Sequence, residues 1–346
     1  MAPAIVLAPA ATRAQRKAWL LGVALLLLAL AILLLGVGVG SNGFDRILAA
    51  RNDAIAWQIV RDIRLPRTLG AWLSGVLLGL AGAVAQGLFR NPLADPYLLG
   101  SASGAALGMA LALALLGVSP AATQWLVQLG LTGAAFIGAV AGVLLTLVLA
   151  RGVRHTLRLL LAGVIVGVVL GAARDLVTLS APEVLQGTQA FMLGSTSVVG
   201  WDACAIMAGV ALPCLAVAWG LGRALDALAL GESTAASLGL PLAATQSALV
   251  AVLALATGAA VAQTGMIAFV GLAAPHLVRS VVKTTHGRLV FLSALTGGVL
   301  LMAADVLSRW LVAPQELPVG VLTAVLGGSY LLWLMHRRAG PGSRLA

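Results

Sequence analysis

The chain has 346 residues, of which 61% are apolar and 9% are charged, and its mean hydropathy is +1.05. A soluble domain carries about one-quarter charged residues, so this composition excludes an ordinary soluble protein and predicts a polytopic membrane protein. The formal net charge of +10 reflects an uneven distribution of arginine between the two predicted membrane faces, which argues against a nucleic-acid partner.

Apolar stretches of about 18 residues or more predict about ten transmembrane helices, because a hydrocarbon core of about 30 Å needs roughly 20 apolar residues. In chain order these stretches cover residues 18–40, 66–88, 97–117, 123–150, 157–179, 202–221, 242–262, 265–282, 289–310 and 317–335. The sequence therefore predicts an all-α polytopic membrane protein with a single transmembrane domain over residues 1–346.

The distribution of lysine and arginine predicts the orientation, since cytoplasmic loops are enriched in both. With a cytoplasmic N-terminus and ten spans, two-thirds of the 21 basic residues fall on the inner side. Both termini are then cytoplasmic, with an inner N-terminal tail at 1–17 and an inner C-terminal tail at 336–346. Residues 223–241 form a cytoplasmic segment that is too polar to cross the membrane.

The four-residue sequence AVAQ occurs twice, at residues 83–86 and at residues 260–263, each time near the end of an apolar span. If each half of the chain holds five spans, the second half is inserted upside down, because an odd number of crossings reverses direction. The pattern thus predicts two inverted five-helix halves, an arrangement found in many transporters. A chance match in a chain rich in alanine, valine and glycine is the alternative.

The sequence lacks the residues for ATP hydrolysis or for a metal centre. A phosphate-binding loop needs the pattern Gly-x-x-x-x-Gly-Lys-Ser/Thr, whereas the only lysines, Lys17 and Lys283, do not follow glycine. The four histidines fall at or near the predicted inner surface without a metal-ligand pattern: His155, His276, His286 and His336. We therefore expect no catalytic residue, no resident cofactor and no metal site, and we expect ATP to be bound by a separate subunit.

Four motifs carry a resemblance to a known transporter family. They are RLPR at residues 64–67, QGLFRNPLADP at 86–96, GLAAPH at 271–276 and ELPVG at 316–320. Together they resemble the permease subunits of the bacterial ABC importers for heme, ferric siderophores and vitamin B12. The resemblance implies a homodimer in the bacterial inner membrane that works with two ATPase subunits and a periplasmic substrate-binding protein.

The cytoplasmic segment 223–241 is predicted to contain two short amphipathic helices, separated at Gly231 and stopped by Gly239 and Pro241. Such a segment lies on lipid or docks into a groove of a partner, and its single basic residue disfavours lipid. It also resembles the coupling segment of the same permease family, which inserts into a cleft on the ATPase. The resemblance implies ATPase contacts at Leu230, Gly231, Glu232, Ala236, Leu238 and Gly239.

Three arginines at the predicted outer face match family positions that receive acidic residues of the binding protein. They are Arg64, Arg67 and Arg309. Exposed arginines suit carboxylate partners through paired hydrogen bonds, and they speed the encounter by electrostatic steering. The alternative is that these side chains only anchor helix ends at the membrane interface.

Arg174 and Asp175 lie near the outer end of the predicted fifth span. A charge inside a membrane helix is costly, so such residues usually face a cavity or a partner. The resemblance implies that the fifth span lines the pathway at the dimer axis, where two copies of Arg174 would suit a dianionic cargo such as heme. A local ion pair of Arg174 with Asp175 or with Glu183 is an equal alternative.

These features predict the permease subunit of an ATP-driven importer that moves heme or another iron chelate by alternating access. A ferric siderophore or vitamin B12 is the alternative cargo. An ion-coupled secondary transporter is the alternative of another class, although such proteins usually place acidic or polar residues near the middle of the membrane.

Overall fold

The structure is a computed structural model, and it describes residues 9–40, 43–44, 54–117, 125–150, 156–181 and 184–338. Over these residues the chain is helical apart from its turns and a two-residue antiparallel pairing of Val39–Gly40 with Gly43–Phe44. The predicted all-α class is confirmed. Glu183 and the parts of the predicted tails at 1–8 and 339–346 lie outside the described residues.

The α-helices follow one another in chain order, with short connections over most of the described ranges. They are α1 Pro9–Gly38, α2 Ala54–Ile59, α3 Leu65–Leu88, α4 Ser101–Leu116, α5 Trp125–Leu149, α6 Thr156–Ser180, α7 Leu185–Leu193, α8 Trp201–Gly220, α9 Gly222–Ala229, α10 Glu232–Ser237, α11 Leu242–Thr264, α12 Val270–Val281, α13 His286–Trp310 and α14 Val319–Arg338. A π-helical turn at Val60–Arg64 joins α2 to α3.

Seven helical stretches within the described residues are long and apolar enough to cross a bilayer, and they match seven of the ten predicted spans. Two other predicted spans correspond to the shorter apolar helices α4 and α14. The span predicted at 265–282 is interrupted, because α12 has only 12 residues and is roughly 18 Å long. The count of ten transmembrane helices is not confirmed, and the two inverted halves stay a prediction.

Helix α3 is the central element of the fold, and almost all of its residues are buried. Pro66 sits in its first turn, where a missing backbone N–H costs nothing. The largest cluster of buried apolar side chains surrounds this helix and takes residues from α8, α11 and α13. Helix α1 lies outside this cluster and packs on α13 through Ala18 and Leu25.

Glycines bring α3 and α13 into direct backbone contact. A Cβ added at Gly75 would overlap the carbonyl oxygen of Gly297, and a Cβ added at Gly79 would overlap that of Ser293. Small residues at a helix interface allow this approach, which gains dispersion contacts where no hydrophobic effect drives helices together in lipid. The two helices therefore form one tightly packed pair across the thickness of the molecule.

Helix α6 has the opposite character to α3. Large apolar side chains along it are exposed, including Leu161, Val164 and Val168. An exposed apolar face of this extent in a membrane protein meets lipid or another subunit. The structure thus separates a packed core around α3 and α13 from a helix with an uncovered surface.

Candidate functional site: the coupling segment and two polar clusters

The predicted cytoplasmic segment 223–241 folds into the two short helices α9 and α10, separated by Leu230 and Gly231. Gly231 and Gly239 have φ angles of +109° and +83°, a region that favours glycine. The apolar face of α9 is inserted into the body of the protein through the buried side chains of Leu225 and Leu228. The predicted two-helix pattern with breaks at both glycines is thus present.

The tips of this segment carry two exposed leucines. Leu230 is 68% exposed and Leu238 is 67% exposed, whereas Leu225 and Leu228 from the same segment are buried. Ala236 and Gly239 are also exposed. Of the six predicted ATPase contacts, these four are open to a partner, and exposed leucines beside a packed face suit an apolar cleft on another protein.

Glu232, another predicted ATPase contact, faces its own chain instead. Its side chain is 27% exposed and lies 3.7 Å from the guanidinium of Arg90, in the turn that follows α3. It also accepts a hydrogen bond from the side-chain amide of Gln246 on α11, at 3.4 Å. Glu232 therefore joins α10 to two helices of the body, and Gly231 before it is only partly exposed.

A second polar contact holds the segment, between Asp226 of α9 and His286 of α13. One carboxylate oxygen of Asp226 accepts the backbone N–H of His286 at 3.0 Å and lies 2.7 Å from its Nδ1. The sequence alone predicts no contact for Asp226 and places His286 only at the inner surface. The sequence feature that could have indicated this pair is the acidic residue Asp226 itself, which stands between the apolar residues Leu225 and Ala227.

The first AVAQ sequence ends in a buried polar residue that links α3 to α12. The side-chain amide of Gln86 donates to the carbonyl oxygen of Leu272 at 3.2 Å, and its oxygen accepts from Arg279 at 2.5 Å. Six polar residues thus lie near the C-terminal end of α3: Gln86, Arg90, Asp226, Glu232, Arg279 and His286. We call these six residues the Asp226 cluster.

A second cluster of charges is buried at the opposite end of α3 and α13. Asp305 is fully buried, and its carboxylate accepts hydrogen bonds from Arg67 at 3.2 Å, from Arg309 at 2.6 Å and from the hydroxyl of Thr196 at 2.5 Å. Arg67 also contacts Glu316 at 2.9 Å. We call Arg67, Thr196, Asp305, Arg309 and Glu316 the Asp305 cluster.

The predicted exposure of two docking arginines is wrong. Arg67 is 8% exposed and Arg309 is 2% exposed, because each guanidinium is held by Asp305 inside the protein. Arg309 further donates to the carbonyl oxygen of Gly36 at 3.0 Å and to the hydroxyl of Thr68 at 3.1 Å, which ties α1 to α3 and α13. Arg64 is half-buried and donates to the carbonyl oxygen of Val37 at 3.4 Å.

Arg174 lines an open cavity of about 560 Å³ between α6 and α7. Its guanidinium pairs with Asp175 at 2.6 Å and contacts the sulfur of Met192 at 3.1 Å. The hydroxyl of Thr188, another lining residue, is buried without a hydrogen-bond partner in the structure. The predicted local ion pair with Asp175 is present, and the cavity gives Arg174 access to a bound molecule.

Among the described residues, no three His, Cys, Asp or Glu side chains lie close enough to hold a metal ion. Cys204 and Cys214 are both buried and free.

Comparison with known proteins gives a consistent match over most of the chain. Residues 25–337 match the model of the FecCD transport family. The chain is 40% identical to the hemin transport system permease protein HmuU of Yersinia pestis, over 83% of this chain and 85% of the relative. It is also 40% identical to the vitamin B12 import system permease protein BtuC of Salmonella typhi, over 84% of this chain and 86% of the relative.

Solved structures agree with this match. A metal-chelate type ABC transporter in an inward-facing conformation superposes with a TM-score of 0.81 at 27% identity, covering 91% of this chain and 98% of that chain. A chain of PsaBC from Streptococcus pneumoniae shares the fold alone, with a TM-score of 0.53 at 20% identity. The helical architecture, the relatives of 40% identity and the family model over residues 25–337 lead to one conclusion: this chain belongs to the FecCD transport family.

Proposed function

We propose that the chain is the permease subunit of an ATP-driven, binding-protein-dependent importer that moves heme, or another iron chelate, across the bacterial inner membrane by alternating access. The observation that carries the proposal is the segment 222–241, which is fixed to the body by Leu225 and Leu228 and exposes Leu230 and Leu238. A membrane protein that draws on ATP without a phosphate-binding loop needs such a surface for a separate ATPase.

The proposed assembly is a homodimer with two ATPase subunits, one on each coupling segment, and a periplasmic binding protein on the opposite face. Both termini are then cytoplasmic, on the side of the Asp226 cluster, and the Asp305 cluster lies on the periplasmic side. Arg64 is the docking arginine that the fold leaves partly accessible. Arg67 and Arg309 support the docking surface from inside the protein. Arg67 holds Glu316, and Arg309 holds the end of α1.

Heme is favoured as cargo by the name of the relative HmuU and by Arg174 in its cavity, since a guanidinium suits a carboxylate of the cargo. The equal identity to BtuC keeps vitamin B12 as an alternative, with ferric siderophores beside it. An ion-coupled secondary transporter is disfavoured, because the buried carboxylate of Asp305 is already bonded by two guanidiniums and a hydroxyl.

The test is uptake by proteoliposomes that hold this protein and its ATPase, with the cognate binding protein and ATP, comparing heme, a ferric siderophore and cobalamin. ATP-dependent accumulation of one cargo supports the proposal and identifies the cargo. Uptake driven by an ion gradient without ATP would replace it with the secondary transporter.

Within the same assay, Arg174→Ala is expected to lower heme uptake at least several-fold and to leave assembly with the ATPase intact. Arg174→Lys is the matched control, because it keeps the positive charge and loses the forked geometry of the guanidinium. The lysine variant should retain part of the uptake. Unchanged heme uptake by the alanine variant would remove the argument for heme from this cavity.

A further inference from the structure

The contact between Asp226 and His286 joins the coupling segment to the first residue of α13. A helix begins with backbone N–H groups that have no partner within the helix and carry a partial positive charge. The carboxylate of Asp226 accepts the N–H of His286, and the same oxygen lies 2.7 Å from the Nδ1 of its ring. Asp226 therefore caps α13 from another helix, with a charged acceptor.

Around this contact, α9 and α13 pack directly against each other. A Cβ added at Gly222 would come within 2.5 Å of the Cα of Gly287, so the two backbones touch. A Cβ added at Gly87, at the end of α3, would come within 2.9 Å of Leu225 and 3.2 Å of the His286 ring. A displacement of α9 thus acts directly on the end of α13.

Helix α13 continues from this contact through the whole thickness of the protein. Its 25 residues correspond to a length of roughly 38 Å. Its glycine contacts with α3 prevent one helix from sliding independently of the other. At its far end, Asp305 and Arg309 hold Arg67, Thr196 and the end of α1.

We propose that Asp226 is a positioning residue that transmits movement of the coupling segment to α13, and through α13 to the Asp305 cluster. This inference rests on the proposed function, since it takes the exposed leucines of the segment as the surface that the ATPase moves. Asp226 does not itself face the ATPase; it fixes the angle between α9 and α13. Loss of the cap uncouples the two helices while the exposed leucines remain available.

A merely structural role and a transmitting role predict different results. If Asp226 only holds the segment in place, its loss weakens ATPase binding and lowers hydrolysis and uptake together. If it transmits movement, the ATPase still binds and hydrolyses ATP, and the amount of cargo taken up per ATP falls. The ratio of uptake to hydrolysis is therefore the decisive measurement.

The experiment uses the complete complex in proteoliposomes, with heme, the binding protein and ATP. Asp226→Ala should keep ATPase copurification and hydrolysis and lower uptake per ATP several-fold, because α13 loses the charged acceptor that fixes its first residue to α9. His286→Ala should have a smaller effect, because its backbone N–H still bonds to Asp226. Arg288→Ala, an exposed residue in the same turn of α13, is the matched control and should be unchanged.

An uptake-to-hydrolysis ratio of Asp226→Ala equal to that of the wild type would overturn the inference, and so would loss of ATPase binding. If the alanine variant does not fold, His286→Pro decides the question, because proline is tolerated at the first position of a helix but removes the N–H that Asp226 accepts. An unchanged ratio in that variant overturns the inference as well. A wild-type complex that takes up none of the three cargoes with ATP would instead overturn the proposed function.

Discussion

The carboxylate of Asp305 accepts three side-chain hydrogen bonds inside the protein. It lies between Arg67 and Arg309, and all three side chains are buried. Removing one partner of a buried ion pair leaves an uncompensated charge, which costs more than the pair itself contributes. Asp305 therefore stabilises the buried guanidiniums of Arg67 and Arg309, whose burial without a carboxylate would cost free energy.

We expect Asp305→Ala to destabilise the protein by about 3–5 kcal/mol, because Arg309 would remain buried without this carboxylate and Arg67 would keep only Glu316. A thermal melt in detergent, followed by size-exclusion chromatography, measures the loss. Asp62→Ala is the control, since the carboxylate of Asp62 is 51% exposed and its pair with Arg61 is long, at 3.9 Å. Equal melting temperatures for the two variants would contradict the burial argument.

The sequence identified these arginines but could not show their surroundings. Arg67 and Asp305 are 238 residues apart, and no local pattern connects them. The expectation that they are exposed follows instead from their resemblance to docking positions of the family at the predicted outer face. The coupling segment was easier to predict, because its two glycines, its apolar spacing and its terminal proline all lie within one short stretch.

Among the elements, the pair of α3 and α13 depends on glycine for its close approach. Backbone carbonyl groups occupy the space where side chains at Gly75 and Gly79 would lie. Carbonyl groups in a helix cannot move aside without breaking the helix. The pair is consequently a rigid unit, and any substitution at its centre pushes the helices apart.

Gly75→Ala is expected to cost roughly 1–3 kcal/mol, the usual range for an overpacked site. Gly209→Ala is the matched control, because this glycine lies in α8 with open space around it. Removal of a helix-interior glycine there should be neutral or stabilising by up to about 1 kcal/mol. Melting temperatures of the two purified variants compare the outcomes, and a stable Gly75→Ala variant would refute the close packing.

The interrupted span at 265–282 shows where element prediction failed. The stretch is mostly apolar, so hydropathy alone gives one continuous helix. In the structure Gly265 and Phe269 have positive φ angles of +67° and +68°, and the chain between them is not helical. A phenylalanine in this conformation has no signature in the sequence, because only the surrounding contacts can hold it there.

At the scale of the whole molecule, α6 is one of the helices that the described fold leaves largely uncovered. Val164, Val168 and Asp175 follow one stripe of this helix, next to the cavity of Arg174. The homodimer proposed above requires a seam, and this stripe is its best candidate because it is mostly apolar and ends at the cavity of Arg174. Helix α1 also exposes leucines, but its buried face packs on α13, away from that cavity.

We expect Val168→Cys to form a crosslinked dimer with a flexible bis-maleimide, because the two copies of α6 face each other in the proposed dimer. Leu27→Cys, an exposed position on α1, should remain monomeric under the same conditions. The native cysteines are buried, so the unmodified chain reports the background. Crosslinking at Leu27 but not at Val168 would move the seam to α1.

The long sequence separation within the Asp305 cluster also has a consequence for biosynthesis. A ribosome that adds about 5–20 residues per second completes Asp305 roughly ten to fifty seconds after Arg67. During that interval the guanidinium of Arg67 has no acidic partner from α13, and burying its charge in hydrocarbon would cost free energy. Helix α3 must therefore wait in contact with water, lipid head groups or the insertion machinery, and its final placement belongs to the last stage of assembly in the membrane.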